Sequence, residues 1–96
     1  YIGIYMKKLS PYQLRRLRIQ SGAIISRLLR GGPAHKSGLK PGDIVIRYNN
    51  KPIKNHIDLK VKILRSQINK KVKVTILRRG YKLNIWVRVI ENRYNK

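Results

Sequence analysis

The first four residues, Tyr1-Ile2-Gly3-Ile4, hold the clearest chemical possibility in the chain. A glycine set between apolar residues lets the backbone turn so that successive N–H groups point at a single anion. A terminal carboxylate fits such a nest. Ile2 and Ile4 would then wall an apolar pocket beside it. An ordinary edge strand is the competing reading of so short a string. Little else in the sequence could do chemistry. There are three acids, Asp43, Asp58 and Glu91, two histidines, His35 and His56, and no cysteine. That set leaves little for general acid–base work. The histidines lack the partner spacing of a metal site, so neither a metal nor a cofactor is expected. His35 reads as a surface residue. Asp43 follows a Pro-Gly turn and Asp58 falls on a helix, and both have structural explanations. The chain is therefore read as non-catalytic.

Charge is the second feature. Twenty-four Lys and Arg against three acids give a formal net charge of +21 over 96 residues. Such an excess marks either disorder or a polyanionic partner. Regularly spaced Ile, Leu and Val argue against disorder. A folded basic surface would attract acidic proteins, nucleic acid or anionic lipid, and would do so less at high salt. Tyr48, Tyr81, Trp86 and Tyr94 stand among the basic residues, where they could stack on bases. Strand packing is the plainer alternative, and Trp86 between Ile85 and Val87 suits it. Leu14-Arg15-Arg16-Leu17-Arg18 could rest on an anionic membrane, or simply be a solvated helix face. No apolar run approaches the length of a membrane span. No signal peptide is visible, and the chain enters a strand-like segment at Tyr1, as a piece of a longer protein would.

The elements that must position these residues follow from periodicity. Ile2, Ile4 and Met6 alternate, which predicts a strand over Tyr1 to Met6. Ser10-Pro11 starts a helix carrying Leu14 and Leu17. Ala23 to Leu29 is a second apolar strand. Gly31-Gly32-Pro33-Ala34 opens a short helix that Gly38 stops. Lys40-Pro41-Gly42-Asp43 is a tight turn into a buried strand, Ile44-Val45-Ile46. Asn49-Asn50 turns the chain into a short strand, Lys51-Pro52-Ile53. A helix from Asn55 to Arg65 follows, with Leu59, Ile63 and Val61 on its apolar side. Val72, Val74 and Ile76 share one strand face. Arg79-Gly80 makes a hairpin to a return strand bearing Leu83, Ile85 and Val87. The pattern is α+β, with five or six strands and two or three helices packed as a partly open barrel or sandwich. Residues 1–90 form one domain and 91–96 a polar, frayed tail.

The order of these motifs resembles the PDZ domains of the HtrA/Deg serine proteases. The resemblance runs over nearly the whole chain. It rests on Tyr1-Ile2-Gly3-Ile4, Leu9-Ser10-Pro11, Ser21-Gly22-Ala23 and the block Pro33-Ala34-His35 to Gly38-Leu39-Lys40-Pro41-Gly42-Asp43. Asn50-Lys51-Pro52-Ile53, Asp58-Leu59 and Leu77-Arg78-Arg79-Gly80 complete it. The opening is most similar to mitochondrial and animal members. The resemblance implies a PDZ-like fold in the circularly permuted order of that group. It implies that the loop Tyr1, Ile2, Gly3 and Ile4 binds a peptide carboxylate through backbone N–H groups. It also implies that Ile4, Tyr5 and Met6 pair with the peptide by strand addition. The helix after Ile53 would form the other wall, with His56 and Lys60 one turn apart and Ile63 closing the apolar pocket. In some PDZ domains a histidine at the place of His56 selects a ligand hydroxyl; a solvent-exposed helix-start histidine is the alternative. The protease nucleophile of that family sits in a Gly-Asn-Ser-Gly-Gly-type loop, which is missing from this sequence.

Three departures stand out. Gly32 replaces a usual serine, the stretch from Leu17 to Ser21 is short, and the basic excess is foreign to the family. The leading expectation is a module that captures hydrophobic C-termini or extended hydrophobic peptides, with acidic residues upstream. It would tether substrate to, or regulate, a protease domain of the parent chain in a mitochondrial or periplasmic setting. A basic polyanion- or nucleic-acid-binding module and an interdomain scaffold without a free-peptide ligand are the alternatives.

Overall fold

The computed structural model of the protein describes residues 1–92. Its elements run β1 (Ile4–Lys8), α1 (Pro11–Leu17), β2 (Ala23–Leu28), α2 (Pro33–Ser37), β3 (Ile44–Tyr48), β4 (Lys51–Pro52), α3 (His56–Leu64), β5 (Lys71–Arg78) and β6 (Tyr81–Arg88). The six strands form one antiparallel sheet in the order β1-β2-β3-β5-β6, with β4 added on β3. The sheet curls. Just past β6, the Ile90 N–H donates to the Tyr1 carbonyl at 3.0 Å, so the segment after β6 returns to the first residue. The expected α+β architecture, with six strands and three helices, is the one observed.

Local chemistry explains the element ends. Ser10 and Gln13 form a reciprocal capping box: Gln13 N–H donates to Ser10 Oγ at 3.1 Å and Ser10 N–H to Gln13 Oε1 at 2.8 Å. Asn55 caps α3 by accepting from Asp58 N–H at 2.9 Å, and the Asp58 carboxylate in turn accepts from Lys54 N–H at 2.8 Å. Gly32 gives α2 no side-chain cap. The first strand starts at Ile4 rather than Tyr1, because Gly3 has φ +78° and breaks the extended run there. β1 also runs on through Lys7 and Lys8, beyond the expected Met6.

The core lies inside the curl. Val72, Val74 and Ile76 of β5 meet Ala23 and Ile25 of β2, Val45 of β3, Val87 of β6, Ile53, and Leu59 and Ile63 of α3. Leu9 and Ile44 are also buried but stand outside this cluster. Ile44 is adjacent to core-facing Val45, so it points to the other face of the sheet. There it meets Leu9 over Gly22, where an added Cβ would lie 3.2 Å from Leu9 and 3.4 Å from Ile44. Asp43, 2% exposed, accepts from Arg78 Nε and Nη2 at 2.8 and 2.7 Å, and Lys40 N–H donates to it at 2.8 Å. Arg78 Nη2 also reaches the Gly38 carbonyl at 2.8 Å. One bidentate pair thus ties the Pro33–Ile46 block to β5.

Two packing expectations are corrected. Trp86 is not in the core: it is 58% exposed, because Val87 takes the inward position and its neighbour must face out. Val61 likewise faces solvent, since Leu59 and Ile63, four residues apart, already fill the buried side of α3. Tyr48 is buried as a packing residue, with its hydroxyl 2.7 Å from Ser66 Oγ. Burial raises the Tyr48 phenol above its ordinary value, against the Ser66 hydrogen bond. Tyr94 and the end of the polar tail lie outside the described residues. Among the described residues, no helix is long and apolar enough to cross a membrane.

Candidate functional site

A cleft of about 570 Å³ runs between β1 and α3. Every residue expected in the groove lines it: Tyr1, Ile2, Gly3, Ile4, Tyr5 and Met6 on one wall, His56, Lys60 and Ile63 on the other. β1 is the last strand of the sheet and pairs only with β2 among the described strands, so its second edge faces the cleft.

The loop before β1 is fixed through its carbonyls. Tyr1 O accepts from Ile90 N–H at 3.0 Å, Ile2 O from Ala34 N–H at 2.9 Å, and Gly3 O from Leu29 N–H at 2.9 Å. All peptide bonds among the described residues are trans. In a trans peptide the N–H of residue i+1 points opposite to the carbonyl of residue i. The N–H groups of Ile2, Gly3 and Ile4 are therefore turned away from the scaffold atoms that hold those carbonyls. Gly3 is needed twice over. Its φ is +78°, and an added Cβ would stand 3.2 Å from Leu29 Cβ.

β1 itself keeps a regular alternation. The register slips between Tyr5 and Met6, where β2 inserts Ser26 between Arg27 and Ile25. The extra residue is thus on β2, and Ser26 Oγ donates to the Tyr5 carbonyl at 3.1 Å. With Tyr5 bonded toward β2, the backbone groups of Ile4 and Met6 fall on the free edge. On the outer surface, the Arg27 guanidinium lies 4.2 Å from the centre of the Tyr5 ring.

Ile2 and Ile63 are buried and form the apolar floor, while Ile4 and Met6 are half-buried beside them. His56 and Lys60 sit one turn apart on α3. His56 Nδ1 is the single buried side-chain polar atom among the described residues that has no hydrogen-bond partner. A buried polar atom in that state is uncommon in folded proteins. The lining includes Lys60 and no acid. Ile57 and Leu64, also in the lining, were not singled out from sequence, and nor was Asn92. Ile57 is 60% and Leu64 70% exposed. The available signal was apolar residues on α3 outside the Leu59–Ile63 core stripe.

His35 is exposed, as expected, and its ring closes a local turn, with Nδ1 accepting from Gly31 N–H at 3.0 Å. Among the described residues no cluster of three or more His, Cys, Asp or Glu could hold a metal.

Comparison with known proteins bears on the family and the fold. The family model for the PDZ domain matches residues 1–77. The chain is 36% identical over 69 residues to a probable periplasmic serine endoprotease DegP-like of Rickettsia prowazekii (strain Madrid E), covering 72% of this chain and 14% of that protein. It is 37% identical over 71 residues to the periplasmic pH-dependent serine endoprotease DegQ of Escherichia coli (strain K12), covering 74% and 16%. It is 40% identical over 68 residues to the mitochondrial serine protease HTRA2 of Drosophila erecta, covering 62% and 16%. The chain thus spans about a seventh of the length of these curated relatives. Among solved structures, the HtrA-type protease AlgW with decapeptide superposes with a TM-score of 0.81 at 25% identity, over 94% of this chain and 28% of that one. The HtrA3 PDZ domain bound to a phage-derived ligand shares the fold, with a TM-score of 0.78 at 20% identity, over 92% and 82%.

Proposed function

Because this chain belongs to the PDZ domain family, a family of non-catalytic binding modules, we propose that it captures the hydrophobic C-termini of extended peptides. The peptide adds as a strand along the free edge of β1, pairing with Ile4 and Met6. Its terminal carboxylate accepts from the N–H groups of Ile2, Gly3 and Ile4. Its last side chain enters the apolar floor formed by Ile2, Ile4, Met6 and Ile63. The observation that carries this reading is the anchoring of the carbonyls of Tyr1, Ile2 and Gly3, which turns the following N–H groups off the scaffold.

The remaining polar groups favour a particular ligand. Unpartnered His56 Nδ1 supports a hydroxyl-bearing residue two positions before the terminus. Lys60 in the lining, Lys7 and Lys8 on β1, and a cleft without acids favour acidic residues upstream of the anchor. Likeness to the Deg and HtrA proteases supports placing the domain in such a parent chain, where it tethers substrate or regulates cleavage.

The test is a fluorescence-anisotropy titration with a peptide ending in a free valine carboxylate and with its amidated copy. Affinity for the free acid should be micromolar, a net of about 8 kcal/mol, since ordering an extended peptide offsets much of the contact energy. Amidation should weaken it at least tenfold. Equal binding of the two peptides would remove the carboxylate-capture step.

A further inference from the structure

We infer that the outer face of the β5–β6 hairpin is a second binding surface, for single-stranded nucleic acid, with Trp86 as its stacking platform. The register gives the face its composition. Lys71 pairs with Arg88, Lys73 with Trp86, and Thr75 with Asn84, while Arg47 of β3 pairs with Thr75. The Thr75 and Asn84 side chains meet at 2.8 Å, which shows that these alternate residues share one face. The opposite face of the same strands holds Val72, Val74 and Val87 in the core. Lys71, Lys73 and Arg88 therefore flank one exposed tryptophan, and Arg47 stands farther across the same face beside Thr75.

Charge on this face has no internal counterpart. The two ion pairs among the described residues are Lys62–Asp58 and Arg78–Asp43, and neither involves these four cations. Arg47 and Arg88 each reach only a backbone carbonyl, of Asn50 and Asn69 respectively. The ring is open too: the cation–π contact among the described residues is that of Arg27 on Tyr5. Same-face neighbours along a strand stand about 6.6 Å apart, a spacing that an extended sugar–phosphate backbone reaches. An aromatic face between backbone-tracking cations is how single strands are held without sequence preference. A membrane would need a contiguous apolar patch. The neighbours of Trp86 across and along the strands are Lys73, Asn84 and Arg88, so there is none around it. This surface is independent of the β1–α3 cleft.

Trp86 is the only tryptophan in the chain, so its emission reports the contact directly. The test titrates the intact 96-residue chain with a fluorescein-labelled oligouridylate 12-mer, with inorganic polyphosphate of similar charge, and with phosphatidylglycerol vesicles. Oligouridylate should quench Trp86. Trp86→Ala should weaken that oligomer about tenfold in anisotropy, with Trp86→Phe restoring part of the loss and polyphosphate binding little changed. Four neutralised phosphates predict a log–log salt slope of about −3, hence a loss of roughly 50-fold in affinity between 50 and 200 mM salt. Unquenched Trp86 emission at saturation, or equal loss of oligouridylate and polyphosphate in Trp86→Ala, would overturn the inference. So would a blue shift on vesicles with no response to the oligomer, which would assign the face to lipid.

Discussion

Substituting Gly3 by alanine separates the cleft's backbone geometry from general backbone strain. The cost has two sources. Placing an L-residue at φ +78° costs about 1–2 kcal/mol. The new Cβ also meets Leu29 Cβ at 3.2 Å, and since the Leu29 N–H holds the Gly3 carbonyl, that neighbour cannot retreat freely. Relieving the crowding adds about 1 kcal/mol. Gly80→Ala is the matched control: φ is +81° in the β5–β6 turn, and an added Cβ meets nothing within 4 Å. Urea unfolding should give a loss of about 2–3 kcal/mol for Gly3→Ala against about 1–2 kcal/mol for Gly80→Ala. In thermal melts each kcal/mol is about 4–8 °C for a domain of this size. Peptide titration provides the second axis. Gly3→Ala should lose at least tenfold for the free-acid peptide and nothing further for its amide, while Gly80→Ala binds as the parent does. If both variants are equally destabilised and both keep parental peptide affinity, the N–H fan at Ile2, Gly3 and Ile4 is not the carboxylate site.

Three further outcomes are expected. Asp43→Ala should cost about 2–3 kcal/mol, because it removes the charge-assisted hydrogen bonds from the partly exposed Arg78 guanidinium and leaves the Lys40 N–H without its acceptor; a double-mutant cycle with Arg78→Met should show coupling in urea unfolding. His56→Ala should erase a preference for Ser or Thr over Val two positions before the peptide terminus, worth about 1 kcal/mol or fivefold, as read by competition titration. Asp58 is held below its ordinary value of 3.8, first by the Lys54 N–H and then by Lys62. Its contribution to stability is therefore complete above the unfolded value and lost as pH falls through the lower folded one. Asp58→Asn should flatten the acid limb of a stability–pH profile in that window and leave the neutral region's slope unchanged.

Much of the fold was readable because its determinants are local. Ser10-Pro11, Asn55 and Gly38 end helices through contacts within four residues, and such contacts are written in adjacent letters. The near wall of the cleft was readable for the same reason: Gly3 announces its own conformation. The far wall was harder. Five apolar residues lie in Ile57 to Leu64, and sequence cannot say which stripe the sheet will claim. Once Leu59 and Ile63 are taken by the core, Ile57 and Leu64 are left for the cleft and Val61 for solvent. Trp86 was misplaced by its apolar neighbours, since a run of Ile, Trp and Val does not reveal which phase of the alternation faces in. The Asp43–Arg78 pair spans 35 positions, and only the assembled sheet brings its partners together.

That pair, with Asp58 on Lys62, has a further effect. Two of the chain's three side-chain carboxylates are committed to the protein's own cations, so the exterior is left to repel itself. Ionic strength should then act in opposite directions on the two properties of the molecule. Added salt relaxes the self-repulsion and firms the native state, while it weakens the pull on acidic partners. A bound polyanion gives both at once: it neutralises the surface and stabilises the native domain by mass action. Far from any partner and in dilute buffer, this domain is at its softest.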